Sequence, residues 1–551
     1  MGIFANPLTD LLEYEDFSRD FLKGTDPVGM TGCIDSEKVH FMSTFLGEKK
    51  VQLVVTYNEQ QAREIEEDYK LFCSQVYVIP PRDLIFFNAD LQGNAIIAER
   101  MKAFAALYQN EAKVIITTMD ALMSAAVPFE QLMSHVIKLK EGDELDLEKL
   151  KHDLTVMGYE RVGRVEEPGQ FTVHGGIADV YPLTMEVPVR IELWGDEIDT
   201  IRCFEPQSQR SMDQIECVSV FPAAEVIADD TARRRAVGMI QNELESQLAV
   251  FKKAKEPDKA KRLREETNRI LEALGEDVVL EAPDSYISYF YPRTVQLSEY
   301  FDEKNTLVFL DEPMRLKERG DGVQAEFEES MKNRLEQGFL LPGQTALLTP
   351  AKHVLAAFER GQVAALSSLD SRLADFTVVN SYAVNVQNMN TYREGFELLI
   401  KDLTHWKKEK YRIVLLCPSR TRANRIVNQL IEYDLLAYYS EDEDKKINPG
   451  EIMVTYGNLH RGFLYPMLKF AVITESDIFD AKKKKKEKKS HYQGQRISDF
   501  AQLKPGDYVV HENYGLGIYR GTERQIVDKV TKDYIKIEYG DGGKLYFPVT
   551  Q

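Results

Sequence analysis

Val28-Gly-Met-Thr-Gly-Cys-Ile-Asp-Ser36 stands between the first amphipathic helix and the Val51 strand, and Gly29 and Gly32 are what it keeps of a phosphate loop. A working loop reads G-x-x-x-x-G-K followed by Ser or Thr. Glycines let backbone N–H groups wrap the phosphates, the lysine supplies charge, and the hydroxyl takes magnesium. Here neither residue follows in register and Asp35 repels phosphate, so no nucleotide is expected. Val308-Phe-Leu-Asp-Glu-Pro313 imitates the magnesium-holding strand end of an ATPase. Without a partner loop it is expected to be a strand ending in a solvated acidic turn. Arg420 and Arg422 open a helix after Pro418-Ser419 and can hold an anion, although arginines at a helix start are commonly just surface residues. No G-x-S-x-G elbow, H-E-x-x-H helix or Cys/His cluster is present, and nine scattered histidines define no triad. Neither a catalytic residue nor a nucleotide, metal or other cofactor is expected in this chain.

Two further stretches suit binding better than catalysis. From Val189 to Trp194 the two-residue strand period puts Val189, Ile191 and Leu193 on one face and Arg190, Glu192 and Trp194 on the other. Gly195-Asp196 then closes a hairpin that adds Glu197 and Asp199 to the second face. A core face backed by charges and an aromatic ring is the composition of a protein-contact surface, and also of a solvated sheet. At the end of the sequence, Tyr534-Ile-Lys-Ile-Glu-Tyr539 alternates apolar and polar residues. Gly540-Asp-Gly-Gly543 then turns the chain into Lys544-Leu-Tyr-Phe547. With Tyr508-Val-Val-His511, Ile518-Tyr519 and a turn or close approach at Gly515 and Gly517, four or five short strands imply a small barrel that works by offering an edge or groove.

The elements that must position these residues alternate strand and helix. Val51–Thr56, Val76–Ile79 and Val114–Thr117 read as buried strands, Glu59–Tyr69 as a helix capped by Asn58, and Asn94–Tyr108 as a second helix. Later, Tyr411–Cys417 is a strand and Thr421–Tyr433 a helix capped by Ser419. A long charged helical stretch covers Thr231–Leu274, and Tyr286, Tyr289 and Phe290 stand at helical spacing, as core residues do. The chain has 551 residues, 43% hydrophobic and 29% charged, with room for three to five domains. It lacks an apolar stretch of about eighteen residues and a basic-then-apolar leader, so it is read as cytoplasmic. Its five unpaired-looking cysteines are expected to be buried thiols. A net charge of -20 argues against broad duplex binding. The run Lys482–Lys489 reads as a solvated linker or as a transient contact for nucleic acid or an acidic protein.

Two sets of residues carry a family resemblance. GDYVVHENYGLGIY, KDYIKIEY and KLYFPV resemble the polymerase-interacting module of bacterial transcription-repair coupling factors, a Tudor-like fold shared with CarD-type regulators. Tyr514 and Gln525 depart from that pattern. Gly169-Gln-Phe171, Asp179-Val-Tyr-Pro182 and Arg190-Ile-Glu192 with Gly195-Asp-Glu-Ile198 resemble UvrB and the matching module of the coupling factors. The resemblance extends to the N-terminal half of that family. It implies an α/β multidomain chain with a degenerate RecA/helicase-like parallel sheet, an antiparallel β insert, a second α/β domain and a C-terminal Tudor/CarD-like barrel.

The implied boundaries are 1–124 and 216–334 for the two parts of the UvrB-like sheet domain and 125–215 for its insert. Residues 335–475 are the middle domain, 476–498 the linker and 499–551 the polymerase module. The implied partners are UvrA, at Arg161, His174, Arg190 and Glu192, and the RNA polymerase β subunit, at Ile518, Tyr519, Arg520, Thr522, Arg524, Gln525 and Ile526. His174 stands where relatives often have arginine. DNA is expected to bind weakly if at all, and the chain is expected to be a monomer. In the family an ATP-driven translocase follows the polymerase module and a C-terminal domain masks the UvrA surface. Neither lies within these residues, so a non-enzymatic adaptor with its UvrA face exposed is expected. A stand-alone CarD-like regulator and an ATP-dependent UvrB-like helicase are the alternatives.

Overall fold

The computed structural model describes residues 7–48, 50–82, 94–275, 283–370, 376–392, 396–442, 445–478, 506–511, 515–527, 530–538 and 544–548. They fall into two compact units, Met1–Asp480 and Ala481–Gln551. The Lys482–Lys489 run, Tyr514 and the Gly540–Gly543 turn lie outside the described residues.

The first unit is built on a seven-stranded parallel sheet. Its order is Asn380–Ala383, Val28–Thr31, Val363–Ser367, Thr306–Asp311, Val51–Thr56, Val114–Thr118 and Val76–Ile79. Five of these strands are almost continuous apolar runs because helices cover both faces. The two-residue period then divides them between two cores. Leu53, Val55, Ile115, Val308 and Leu310 enter one, while Val54, Ile116, Leu307 and Phe309 enter the other. The helices Glu59–Tyr69 and Asn94–Tyr108 have the expected bounds, and Asn58 accepts the Gln61 N–H at 2.7 Å.

Strands Val363–Ser367 and Asn380–Ala383 pair with Val28–Thr31 on its two sides. The first sheet therefore continues past residue 334, where the sequence pattern suggests a boundary. Parallel neighbours are joined through long crossover connections, so adjacency in the sheet is not adjacency in the chain.

Between the Val114 and Thr306 strands the chain leaves the sheet. It forms a six-stranded sheet in the order Ser211–Gln214, Glu197–Phe204, Val189–Trp194, Ile177–Val180, Gln170–His174 and Glu160–Arg161. All its pairs are antiparallel except the last. The long helical stretch is two helices, Asp230–Lys253 and Pro257–Gly275. Lys255 at φ 58° and Pro257 break it. Tyr289 and Phe290 are buried in the core, as their spacing predicts.

A second α/β sheet has the order Gln387–Asn388, Phe463–Tyr465, Phe470–Thr474, Arg412–Cys417, Ile452–Tyr456 and Ala437–Tyr439. Ile413, Leu415 and Ile473 face its own helices. Val414, Leu416, Met453 and Val472 join a core of the first sheet. That shared core buries the helix Asp35–Ser43, in which every residue from Ser36 to Ser43 is buried.

In the C-terminal unit four strands, Tyr508–His511, Gly515–Val527, Val530–Glu538 and Lys544–Pro548, pair antiparallel in chain order. Gly515 and Gly517 lie within one thirteen-residue strand rather than marking a turn. Among the described residues no pairing closes the first strand onto the last as the expected barrel requires. Also among the described residues, no helix is long and apolar enough to cross a membrane. Of the five cysteines Cys33, Cys203 and Cys417 are buried and Cys73 is half-buried. Cys217 is exposed, contrary to expectation, because its edge strand turns it away from the core.

Candidate functional sites

The insert sheet separates its faces as the alternation predicts. Phe171, Val180, Val189 and Cys203 are register partners on the core side, as are Val173, Ala178, Ile191 and Ile201. On the other side one row runs Thr172, Asp179, Arg190, Arg202 and Gln214 across five strands. A second runs His174, Ile177, Glu192 and Thr200.

Arg190 is not a free cation. Its Nε and Nη2 donate to Asp179 Oδ1 and Oδ2, both at 2.8 Å, and its guanidinium lies 4.8 Å over the Phe204 ring. That bidentate pairing raises its pKa further, so it is a permanent and oriented charge. Glu192 and His174 share the second row with Ile177 between them, and His174 Nε2 lies 2.9 Å from Thr172 Oγ1. Trp194 is 84% exposed at the hairpin tip, where it pairs with Glu197. A register shift between Glu192 and Leu193 lets Ile198 turn inward while Glu197 and Asp199 stay out. Arg161 is placed apart from the other three: it sits on the edge strand opposite Phe171, at the register parity of the core side.

The degenerate phosphate loop does join strand Val28–Thr31 to helix Asp35–Ser43, and its geometry is closed. Cys33 N–H donates to Ser367 O at 3.2 Å, and Ile34 N–H donates to Glu37 Oε2 at 3.1 Å. Gly32 has φ 85°, and a Cβ there would lie 2.0 Å from Val384 O. The strand end at Asp311-Glu312 is not a solvated acidic turn. Asp311 is 3% exposed and accepts Lys38 Nζ at 2.6 Å and Thr56 Oγ1 at 2.8 Å. Glu312 accepts Lys38 Nζ at 2.7 Å and Ser368 N–H at 2.9 Å. The physical reason is that a carboxylate buried at the end of a central strand must be paired. Lys38, one helical turn into the sequence that replaces the loop, provides the charge.

The carboxylates raise the Lys38 pKa against the effect of its burial, and Lys38 holds Glu312 below its ordinary value. An internal ammonium thus stands where a working site would place a metal ion and phosphates. Sequence reasoning looked for lysine only in the motif register and missed it. The signal available was a lysine inside an otherwise buried helix.

Arg420 and Arg422 are both committed, Arg420 to Glu441 at 2.6 and 2.8 Å and Arg422 to Glu475. Ser419 caps their helix by accepting the Arg422 N–H. Among the described residues no group of three His, Cys, Asp or Glu side chains is arranged to hold a metal ion.

The expected polymerase contacts all lie on strand Gly515–Val527. Ile518 pairs with Glu538, Tyr519 with Ile537, Thr522 with Ile535, Arg524 with Asp533, Gln525 with Lys532 and Ile526 with Thr531. A register shift separates Tyr519 from Thr522. Tyr519 is buried, and exposed Arg520 donates to Glu538 Oε2 at 2.5 Å. Tyr519 therefore packs within this sheet.

Three families match in chain order. Residues 137–225 match the UvrB interaction domain, 405–478 the MFD D3 domain and 503–551 the CarD-like/TRCF RID domain. The chain is similar along its length to the transcription-repair-coupling factors. The one from Bacillus subtilis is 30% identical over 99% of this chain and 46% of its own length. Those of Staphylococcus haemolyticus and Staphylococcus epidermidis are 30% and 29% identical over 97% and 100% of this chain. These cover 45% and 46% of the relatives, so the chain spans about half the length of the coupling factors it matches. A hypothetical ATP-dependent RNA helicase from Sulfolobus tokodaii covers 80% of this chain and 82% of its own at 8% identity. Its TM-score of 0.18 carries no argument about the fold. The UvrB interaction match contains the whole insert sheet, and the CarD-like match contains all four C-terminal strands.

Proposed function

We propose that this chain is a non-catalytic adaptor of transcription-coupled DNA repair, docking on RNA polymerase through its C-terminal sheet and on UvrA through the insert sheet. The observation that carries this reading is the pairing of two interaction-type domains in one chain whose insert sheet turns oriented charges and an exposed tryptophan away from its core. On that face the Arg190–Asp179 pair, Glu192, His174 and exposed Trp194 supply the fixed charges and aromatic anchor of a protein interface. Arg161, on the edge strand, extends the surface around its rim. On the C-terminal unit, Arg520, Thr522, Arg524, Gln525 and Ile526 form the polymerase strand, with the β subunit as the partner and Ile518 and Tyr519 anchoring it. The closed loop and the Lys38 ion pair support an adaptor over a nucleotide-driven helicase, because they use the groups a nucleotide would need.

The test is a pull-down of purified UvrA and, separately, of RNA polymerase, comparing the native chain with Arg190→Glu. Glutamate beside Asp179 removes the oriented cation and adds repulsion. The expected result is a loss of UvrA capture by at least about tenfold, the scale of one hot-spot residue, with polymerase capture unchanged. Polymerase capture without UvrA capture by either form would favour the CarD-like regulator instead.

A further inference from the structure

Beside the apolar core that the second α/β sheet shares with the first, residues 457–465 contact the first sheet's helices through several proton-bearing groups. His460 N–H donates to Asp68 Oδ1 at 2.7 Å, its Nδ1 lies 3.3 Å from the same oxygen, and its Nε2 lies 3.4 Å from Glu67. Arg461 N–H donates to Ser36 Oγ at 3.0 Å, and its Nε lies 3.7 Å from Asp35. The Tyr465 hydroxyl lies 2.6 Å from Glu37 Oε1 and 3.1 Å from His40 Nδ1. The His40 ring stacks on Phe463 with centroids 5.2 Å apart. Each of these groups pairs a residue of the first sheet's domain with one of the second.

Glu37 is the odd member. It is fully buried, and the groups that touch it are the Tyr465 hydroxyl, the Ile34 N–H and the Cys33 thiol, none of them a cation. The adjacent cation, Lys38, is already held between Asp311 and Glu312. A carboxylate desolvated among neutral partners is cheapest as the neutral acid. Tyr465 can then accept from the acid and donate onward to His40. Burial accordingly pushes Glu37 up to about 7, and Tyr465 and Cys33 stay protonated well beyond that. Asp68, with Glu64 and Glu67 behind it, raises His460 above its ordinary value.

We propose that the contact of residues 457–465 with the Asp35–Ser43 and Glu59–Tyr69 helices is a proton-dependent latch, closed most tightly when Glu37 is neutral and His460 charged. Opening the contact hydrates Glu37 and returns it to the ordinary carboxylate range, so opening releases a proton between about pH 4.5 and 7. Both groups have raised values in the closed state. The closed state is therefore favoured fully at low pH and loses its advantage as pH rises through those values.

Hydrogen–deuterium exchange of the whole chain from pH 5 to 8 tests this. Protection is corrected for intrinsic exchange, with strand Val114–Thr118 as the internal reference. The expected result is that protection of residues 457–465 and 34–43 falls by up to about tenfold per pH unit below pH 7 as Glu37 ionises, with a further fall above about pH 6.5 as His460 loses its proton. Glu37→Gln, an isostere of the neutral acid, is expected to remove that slope below about pH 6.5, where His460 does not yet titrate. A flat native profile overturns the latch, and so does a slope shared with the reference strand or an unchanged slope in Glu37→Gln. If the variant does not fold, the native profile decides alone.

Discussion

Lys38 is the residue on which the first domain's interior most depends. Its ammonium neutralises two carboxylates at the end of a central strand, and water has almost no access to replace it. Lys38→Met removes the cation and leaves Asp311 and Glu312 with only the neutral Thr56 hydroxyl and Ser368 N–H as donors. Equilibrium urea unfolding is expected to show a loss of about 3–5 kcal/mol, the cost of breaking a buried pair from one side. A loss below about 1 kcal/mol would mean that water already enters the site. Arg190 is paired within its own sheet: Asp179, on the neighbouring strand, binds it through two hydrogen bonds and fixes the orientation of the guanidinium.

Elements explain why the old phosphate loop is shut. In a nucleotide-binding sheet the strand–loop–helix junction is left open so that ligand phosphates reach the helix N-terminus. Here the edge strand Asn380–Ala383 pairs with Val28–Thr31, and Val384 N–H continues to Thr31 O at 2.8 Å, carrying its own carbonyl over Gly32. The absence of a side chain at Gly32 thus admits a neighbouring backbone. Gly32→Ala requires a left-handed backbone and a displaced edge strand. It is expected to lower stability by more than about 1 kcal/mol in urea unfolding, with the change in exchange concentrated at residues 380–384. An unaffected edge strand would contradict the close approach.

For the whole chain, the consequence is that no nucleotide effect should survive. A ligand that binds only the folded state raises its stability by RT ln(1 + [L]/Kd), about 2.7 kcal/mol at a hundredfold excess over Kd. Thermal unfolding with millimolar ATP and magnesium is expected to give the same midpoint as without, for the native chain and for Gly32→Ala alike. A reproducible upward shift that disappears on changing the loop would restore the helicase reading. The insert sheet and the C-terminal sheet lie in separate compact units. Their effects on partner binding are therefore expected to be separable by substitution.

Periodicity alone determined the helices Glu59–Tyr69 and Asn94–Tyr108, the buried parallel strands, the split faces of the Val189–Trp194 strand and the caps at Asn58 and Ser419. These are local consequences of side-chain spacing and hydrogen-bond chemistry, so neighbours in sequence suffice to define them. The loss of the phosphate loop was equally legible, since a motif is a local object. Only the tertiary structure decided what replaced it. Lys38 meets Asp311 across 273 positions and Tyr465 meets Glu37 across 428, and no local pattern encodes such partners. The same holds for the sheet's last two strands, which cross over to flank the first one and place residues 363–383 in a domain that the linear order seemed to have left. Burial of charge is the common physical reason. A sequence shows which groups can ionise, whereas the fold alone determines which of them are taken out of water and what must then stand beside them.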